Sequence, residues 1–312
     1  MNTPPLQPQQ PMSAGGPGQP GAPGQPGAPG APGQPGAPGA PGQPGAPGAP
    51  GQPGAPAGGS PITGNVLFYK KPEPLSPEQH GNLGVKQIPQ PFGFLREAHA
   101  VPVTVTEFGM AASAYPVIFV GGDRVPVAVM GVRQGQNLFV TNEGQTETDF
   151  YVPAFVRRYP FVFASDNDSD RLLLCVDREA PMVSNQPEVA FFEGGQPSKF
   201  TNDAIEFCKE FERQRRATTE FAQMLTRFDL FEQKTVAFQP RDNQGNPVGE
   251  QQKIADYWAV SEEKLNALPA EQFNELKNNG ALGAVYAHLI SLLNWSRIIQ
   301  RAVRANQQSG SA

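Results

Sequence analysis

Val117-Ile118-Phe119-Val120-Gly121-Gly122-Asp123-Arg124-Val125-Pro126-Val127-Ala128-Val129-Met130 is the stretch on which the fold turns. Two runs of branched and apolar residues, 117–120 and 125–130, flank a glycine-bearing tip. Branched side chains suit a pleated surface, and Gly121 and Gly122 can take the positive φ that tight hairpin turns need. The stretch predicts an antiparallel hairpin. Upstream, residues 101–106 alternate and read as a strand, followed by an Ala-rich helical turn near 110–114. Val66-Leu67-Phe68-Tyr69 reads as a first strand, and the Pro- and Gly-rich residues 70–100 as a long surface loop. Downstream, 137–141 reads as a strand, and 160–164 with 172–177 as a second hairpin around a polar tip. Pro102, Pro116, Pro126 and Pro160 cannot donate to a ladder, which places them at edges or strand beginnings.

Past Gly195 the period becomes helical. Phe207, Phe211, Gln214, Thr218, Phe221, Leu225 and Phe228 recur at alternating steps of four and three, one stripe of a long helix. Asn202 before Asp203 reads as its N-cap. A further hairpin turns at Asn243-Gln244-Gly245-Asn246-Pro247. Ser261 caps a helix, Pro269 opens a short one that Gly280 closes, and 281–305 reads as one long apolar helix. The expected fold class is α+β within residues 62–305: a mostly antiparallel β region over 62–195, then a helix-rich region over 196–305. Residues 306–312 read as a disordered C-terminus.

Ahead of this lies a different kind of sequence. Glycine recurs at every third position from Gly15 to Gly54, and proline closes every triplet from Pro17 to Pro56. After Gly16, the fourteen Gly-X-Pro triplets carry only Ala or Gln at X. This is a collagen-like pattern, because only glycine fits a triple-helix axis and proline presets polyproline II. Residues 1–61 lack the apolar bulk to offset ordering entropy and are expected to be disordered or polyproline II. Fully extended, residues 15–56 would span about 130 Å at about 3.1 Å each. A monomeric spacer is the expected role, with a homotrimer the alternative. Every proline is at Y, where stable collagens carry hydroxyproline, and neither charge pairs nor an adjoining heptad repeat fix a register.

All 24 basic and 29 acidic residues lie within 70–312, and the net charge of −5 argues against a nucleic-acid or basic membrane-surface binder. Cys175 and Cys208 are too few for a disulfide scaffold and read as buried free thiols. No apolar run reaches the about 18 residues of a transmembrane helix. Met-Asn-Thr-Pro-Pro-Leu-Gln has neither the basic nor the apolar region of a secretion signal. The expected location is the cytoplasm, with the cell surface by leaderless export as the alternative.

Motifs for chemistry are sparse. His80, His99 and His288 lack metal-ligand spacing; His288 reads as a core residue, His80 as a solvated loop residue, and nothing completes a base–nucleophile pair at His99. Asp166-Asn167-Asp168-Ser169-Asp170 resembles the start of a calcium loop, but Arg171 stands where the loop needs glycine. Gly194-Gly195-Gln196-Pro197-Ser198-Lys199 lacks the spacing of a phosphate loop and reads as a turn. Arg157 and Arg158, with Asp177 as a carboxylate partner, are the weak candidates for an anion or partner site. No cofactor, metal or catalytic residue is expected.

Several segments together are similar to a known family. They are Phe68-Tyr69-Lys70-Lys71-Pro72-Glu73-Pro74-Leu75, Tyr115-Pro116-Val117-Ile118-Phe119 and Tyr151-Val152-Pro153-Ala154-Phe155-Val156-Arg157-Arg158-Tyr159-Pro160-Phe161. Asp177-Arg178-Glu179-Ala180-Pro181 and Tyr286-Ala287-His288-Leu289-Ile290-Ser291-Leu292-Leu293-Asn294 complete the set. In order and spacing, over residues 65–303, the chain resembles the bacterial SapC family, named for a link to paracrystalline surface layers. The resemblance implies a non-enzymatic structural or interaction protein, and offers no catalytic residues to transfer. It equally implies a cytoplasmic accessory protein working with a cupin-type hydroxylase or a TonB-dependent receptor. The collagen-like tail departs from the family pattern.

Overall fold

The structure, a computed structural model, describes residues 67–146, 150–166, 169–239, 244 and 246–309. The chain divides into residues 1–56 and 57–312. The collagen-like stretch, and with it the expectations of a disordered spacer or a trimer, lies outside the described residues, as do Val66, Asn167, Asp168, Asn243 and Gly245.

The deciding hairpin forms. Val117–Val120 pairs antiparallel with Val125–Val129, with Val117 opposite Ala128 and Phe119 opposite Pro126. The turn takes its positive φ at Gly121 (71°) and at Arg124 (54°), not at Gly122. A non-glycine residue tolerates this because its side chain folds back on the turn. Arg124 Nη1 donates to the carbonyl of Gly121 at 2.6 Å and of Gly122 at 3.2 Å, and the guanidinium lies 3.7 Å over the Trp258 ring.

Around it stands a five-stranded antiparallel sheet in the order Phe231–Phe238, Gln252–Val260, Val117–Val120, Val125–Val129, Ala100–Pro102. The first two strands are the hairpin expected about residue 245, so the last third of the chain supplies two strands to a sheet begun in the first. Lys199–Arg227 forms the long helix, and its buried residues include Phe211, Thr218, Phe221 and Leu225 of the predicted stripe. Phe221 stands edge-on to Phe108 with centroids 5.8 Å apart, and Phe108 to Phe119 at 6.1 Å. Each such buried aromatic contributes about 1.5–3 kcal/mol by burial. A second sheet, ordered Pro72–Pro74, Ser169–Asp177, Phe161–Asp166, contains the second predicted hairpin.

Several local expectations are corrected. Leu67 and Phe68 form a turn, not a strand, with Phe68 at φ 82°. Residues 137–141 make only the bridge Val140 to Thr146, because Asn137 draws the backbone aside. Its amide donates to the carbonyls of Leu95 and Ala98, and its oxygen accepts from Phe139 N. The long helix is capped by Ser198, whose hydroxyl accepts from Thr201 N at 3.3 Å, not by Asn202. Residues 281–305 divide into Ala281–Ser291 and Asn294–Ser309, the second helix running past the expected stop at 305. Side chains at the break are committed to the hairpin region. Ser291 Oγ accepts from Val117 N at 2.9 Å, and Asn294 Nδ2 donates to the carbonyls of Ala112 at 2.7 Å and Tyr115 at 3.2 Å. His80 is buried, not solvated: Nδ1 accepts from Ser76 N at 3.2 Å, and Nε2 lies 3.4 Å from Glu73 Oε2.

Candidate functional site

One aromatic-lined cleft is organised by a buried carboxylate. Asp177 ends the strand Ser169–Asp177 and is fully buried. Its Oδ1 accepts from Lys71 N at 2.9 Å and Glu179 N at 3.2 Å. Its Oδ2 accepts from Lys70 N at 3.0 Å and from the Tyr159 hydroxyl at 3.2 Å. A buried charge survives only when its lone pairs are met, and here three backbone N–H groups and a phenol meet them. Asp177 therefore fixes the 68–71 segment against the second sheet. Tyr69 adds a bond of 2.5 Å from its hydroxyl to the Phe161 carbonyl. Burial pushes the phenols of Tyr69 and Tyr159 well above their ordinary range, in Tyr159 with the charge of Asp177 adding to it. Both stay protonated and act as donors.

Pinned in this way, Phe68 holds a positive φ that a bulky side chain rarely adopts. Its ring packs edge-on to Phe94 (centroids 5.2 Å apart), Phe155 (5.7 Å) and Tyr159 (6.5 Å). Phe94 and Tyr159 stack at 4.2 Å. The Phe68, Phe94 and Tyr159 rings, with Ile88, Pro89 and Pro181, wall a cleft of about 510 Å³, and Lys70 and Gln90 supply its polar groups. The volume lies within the usual range for a ligand or side-chain recognition site.

The three residues singled out from sequence do not converge. Asp177 lies behind Tyr159 as a positioning residue. Arg157 is exposed and turns over Tyr151: Nε donates to the Val152 carbonyl at 3.0 Å and one Nη to Tyr151 Oη at 3.1 Å. Arg158 is buried, its guanidinium 4.3 Å from the Phe155 ring centre and 4.5 Å from that of Phe211. Sequence reasoning passed over Glu107. This buried carboxylate accepts from Thr104 N and Thr104 Oγ1, both at 2.8 Å, and from Tyr151 Oη and Ala154 N, both at 2.6 Å. It anchors the helix Ala154–Arg157, whose next residues carry Arg158 and Tyr159. Burial, then Glu107, pushes the Tyr151 phenol up to about 12.

The remaining titratable candidates are structural in their contacts. His288 is buried, with Nδ1 donating to the Val117 carbonyl at 2.8 Å and Nε2 accepting from Val260 N at 3.0 Å. Burial holds its pKa down at about 4. Burial likewise raises the thiols of Cys175 to about 11 and Cys208 to about 12. His99 is exposed, and its carbonyl accepts from Met130 N and Gly131 N. Among the described residues, no group of three or more His, Cys, Asp or Glu side chains could hold a metal ion, and no helix is long and apolar enough to cross a membrane.

The five segments carrying the family resemblance gather in two places. Phe68 and Lys70, Tyr159, and Pro181 come from three of them and meet at the cleft. The other two, 115–119 and 286–294, meet where His288, Ser291 and Asn294 bond the backbone of residues 112–117. Beside this second meeting point the surface is apolar, with Tyr286, Ile290 and Leu293 exposed at 43%, 59% and 74%.

Two family models match separate stretches of the chain. No curated protein and no solved structure matches the chain. The collagen triple helix repeat model matches residues 8–62. The SapC model matches residues 75–298, a span that holds Ile88, Phe94, Tyr159 and Pro181 of the cleft and all of the five-stranded sheet. The chain belongs to the SapC family.

Proposed function

We propose that this chain is a non-enzymatic structural or interaction protein whose SapC region engages a protein partner at the Phe68–Phe94–Tyr159 cleft, in connection with a bacterial surface layer. The observation that carries the reading is the convergence of three resemblance segments on a cleft preorganised by Asp177. Holding a bulky residue at positive φ costs about 1–3 kcal/mol, and such strain gathers at sites of recognition. Aromatic rings in a preformed depression are the residues that dominate binding energy at interfaces. The exposed Tyr286, Ile290 and Leu293 offer a second contact surface of the same kind.

A non-enzymatic role is favoured by how the reactive groups are spent. Both nitrogens of His288 and both oxygens of Asp177 and Glu107 are bonded within the fold. The thiols of Cys175 and Cys208 remain protonated at neutral pH. The collagen-like repeat is compatible with association of three chains and would multiply a weak single contact by avidity.

Affinity purification of the native full-length chain, compared with Phe94→Ser and joined to cell fractionation, tests the proposal. The expected result is a surface-layer protein recovered with the wild type and depleted at least about tenfold with the variant. Recovery of a cytosolic hydroxylase or receptor component instead, with the chain in the soluble fraction, would favour the accessory role.

A further inference from the structure

A second cavity lies between the long helix and the deciding hairpin, independent of the aromatic cleft. It measures about 210 Å³, and its walls are largely apolar, with Val103, Pro126, Phe155 and Phe211 among them. Arg158 and Arg215 also line it. Arg158 is 92% buried, since only 8% of its surface is exposed. Its Nε is buried with no hydrogen-bond partner. Its contact with Glu212, Nη1 to Oε1, is 3.9 Å, too long for a hydrogen bond. Glu212 is instead bonded to Arg215 Nε at 2.7 Å.

The local charge is unbalanced in one direction. Arg124, Arg158 and Arg215 line the cavity, and the carboxylates beside them are those of Asp123 in the lining and Glu212. The Arg158 guanidinium interacts with the Tyr69 hydroxyl and lies over the Phe155 and Phe211 rings, with the Glu212 carboxylate at 3.9 Å. A buried guanidinium without a close carboxylate is costly, and an added anion would supply one. An inorganic anion would leave the aromatic and aliphatic walls uncovered. A neutral apolar molecule would leave the guanidinium unmet.

We propose that this cavity binds a small amphipathic monocarboxylate. Its carboxylate pairs with the Arg158 guanidinium where that residue lines the cavity, and its alkyl or aromatic body lies against Phe155, Phe211 and Val103. The cavity is smaller than the about 300–1,000 Å³ typical of drug-sized ligands, so the occupant has on the order of ten non-hydrogen atoms.

Calorimetry on the full-length chain, with sodium hexanoate as probe and hexan-1-ol and sodium phosphate as comparisons at matched ionic strength, tests the assignment. Hexanoate is expected to bind at submillimolar to millimolar concentration, and neither comparison to compete with it. Arg158→Gln should weaken hexanoate at least about tenfold, the loss of one charge-assisted hydrogen bond. Thr219→Phe, at an exposed helix position on the cavity lining, leaves the guanidinium in place and should block binding by filling the space. If Arg158→Gln does not fold, Thr219→Phe alone decides. The proposal is overturned by no hexanoate binding at about 10 mM. It is equally overturned by hexan-1-ol binding as well as hexanoate, by displacement of hexanoate by phosphate, or by binding that Thr219→Phe leaves unchanged.

Discussion

Lowering the pH should loosen the fold through one residue, His288. The five-stranded sheet joins its two halves where Trp258 stands opposite Phe119. Two residues along each strand, Val260 and Val117 would face one another, and the His288 imidazole spans them instead. Nε2 accepts from Val260 N at 3.0 Å and Nδ1 donates to the Val117 carbonyl at 2.8 Å. Only the neutral ring with its proton on Nδ1 satisfies both bonds, because a proton on Nε2 would face the Val260 N–H. Burial is the main cause that lowers the pKa from 6.5 to about 4. The folded chain therefore binds this proton more weakly than the unfolded chain. The associated stability is complete above about 6.5 and is lost as the pH falls through the window from 6.5 to about 4. At about 1.4 kcal/mol per pH unit, the loss is about 3 kcal/mol. Urea unfolding followed by circular dichroism at about pH 7.5, 5.5 and 4.5 measures it, with His288→Gln alongside to isolate the contribution of this ring. A proton NMR titration of His288 in the folded chain gives the same quantity directly. A wild-type slope no steeper than that of His288→Gln, or an imidazole titrating near 6.5, would refute the argument.

Asp177→Ala should cost about 3–5 kcal/mol in urea unfolding, since it strands three backbone N–H groups and the Tyr159 hydroxyl at about 1–3 kcal/mol for each buried unmet group with partial relaxation; a loss under about 1 kcal/mol would show that the site reorganises freely. Ser198→Ala should cost about 1 kcal/mol by removing the cap of the long helix, and an unchanged unfolding midpoint would count against Ser198 as the cap. Cys175 and Cys208 should resist a thiol reagent at about pH 8 in the folded chain and react fully in urea, because burial raises both thiols; fast native-state reaction of either would contradict their burial.

What the sequence made legible was local and periodic. The 117–130 hairpin, the 207–228 stripe (buried at Phe211, Thr218, Phe221, Leu225 and Phe228, half-buried at Phe207 and Gln214) and the core position of His288 follow from alternation, helical spacing and turn glycines. The expected features that failed did so where a distant partner outweighed a local signal. Asn202 and Ser198 both suit a cap, and Ser198 takes the role while its hydroxyl also donates to the Ala190 carbonyl at 2.7 Å. The apolar run 281–305 reads as one helix, yet Ser291 and Asn294 bond residues more than 170 positions earlier. His80 is the exception, since its imidazole partners, Ser76 N and Glu73 Oε2, lie only four and seven residues back. The cleft was the least legible feature, because its walls come from residues 68–70, 88–94, 159 and 181, which only the folded chain brings together. Phe68, Tyr159 and Pro181 did lie inside segments that carried the family resemblance, whereas Phe94 and Gln90 carried no signal. Asp177 was read as a site residue, and its four bonds make it the cleft's internal anchor.

Site-specific photo-crosslinking in living cells tests the central claim most directly. A benzophenone side chain placed at Ile88, in the cleft wall, should yield one dominant adduct with a protein partner. That adduct should fade by about tenfold when Phe94→Ser removes the stacked ring, while a benzophenone at the exposed Glu220 of the long helix should give none. An Ile88 adduct undiminished by Phe94→Ser, or adducts formed at Glu220 and not at Ile88, would contradict the cleft as the surface through which this SapC-family chain meets its partner.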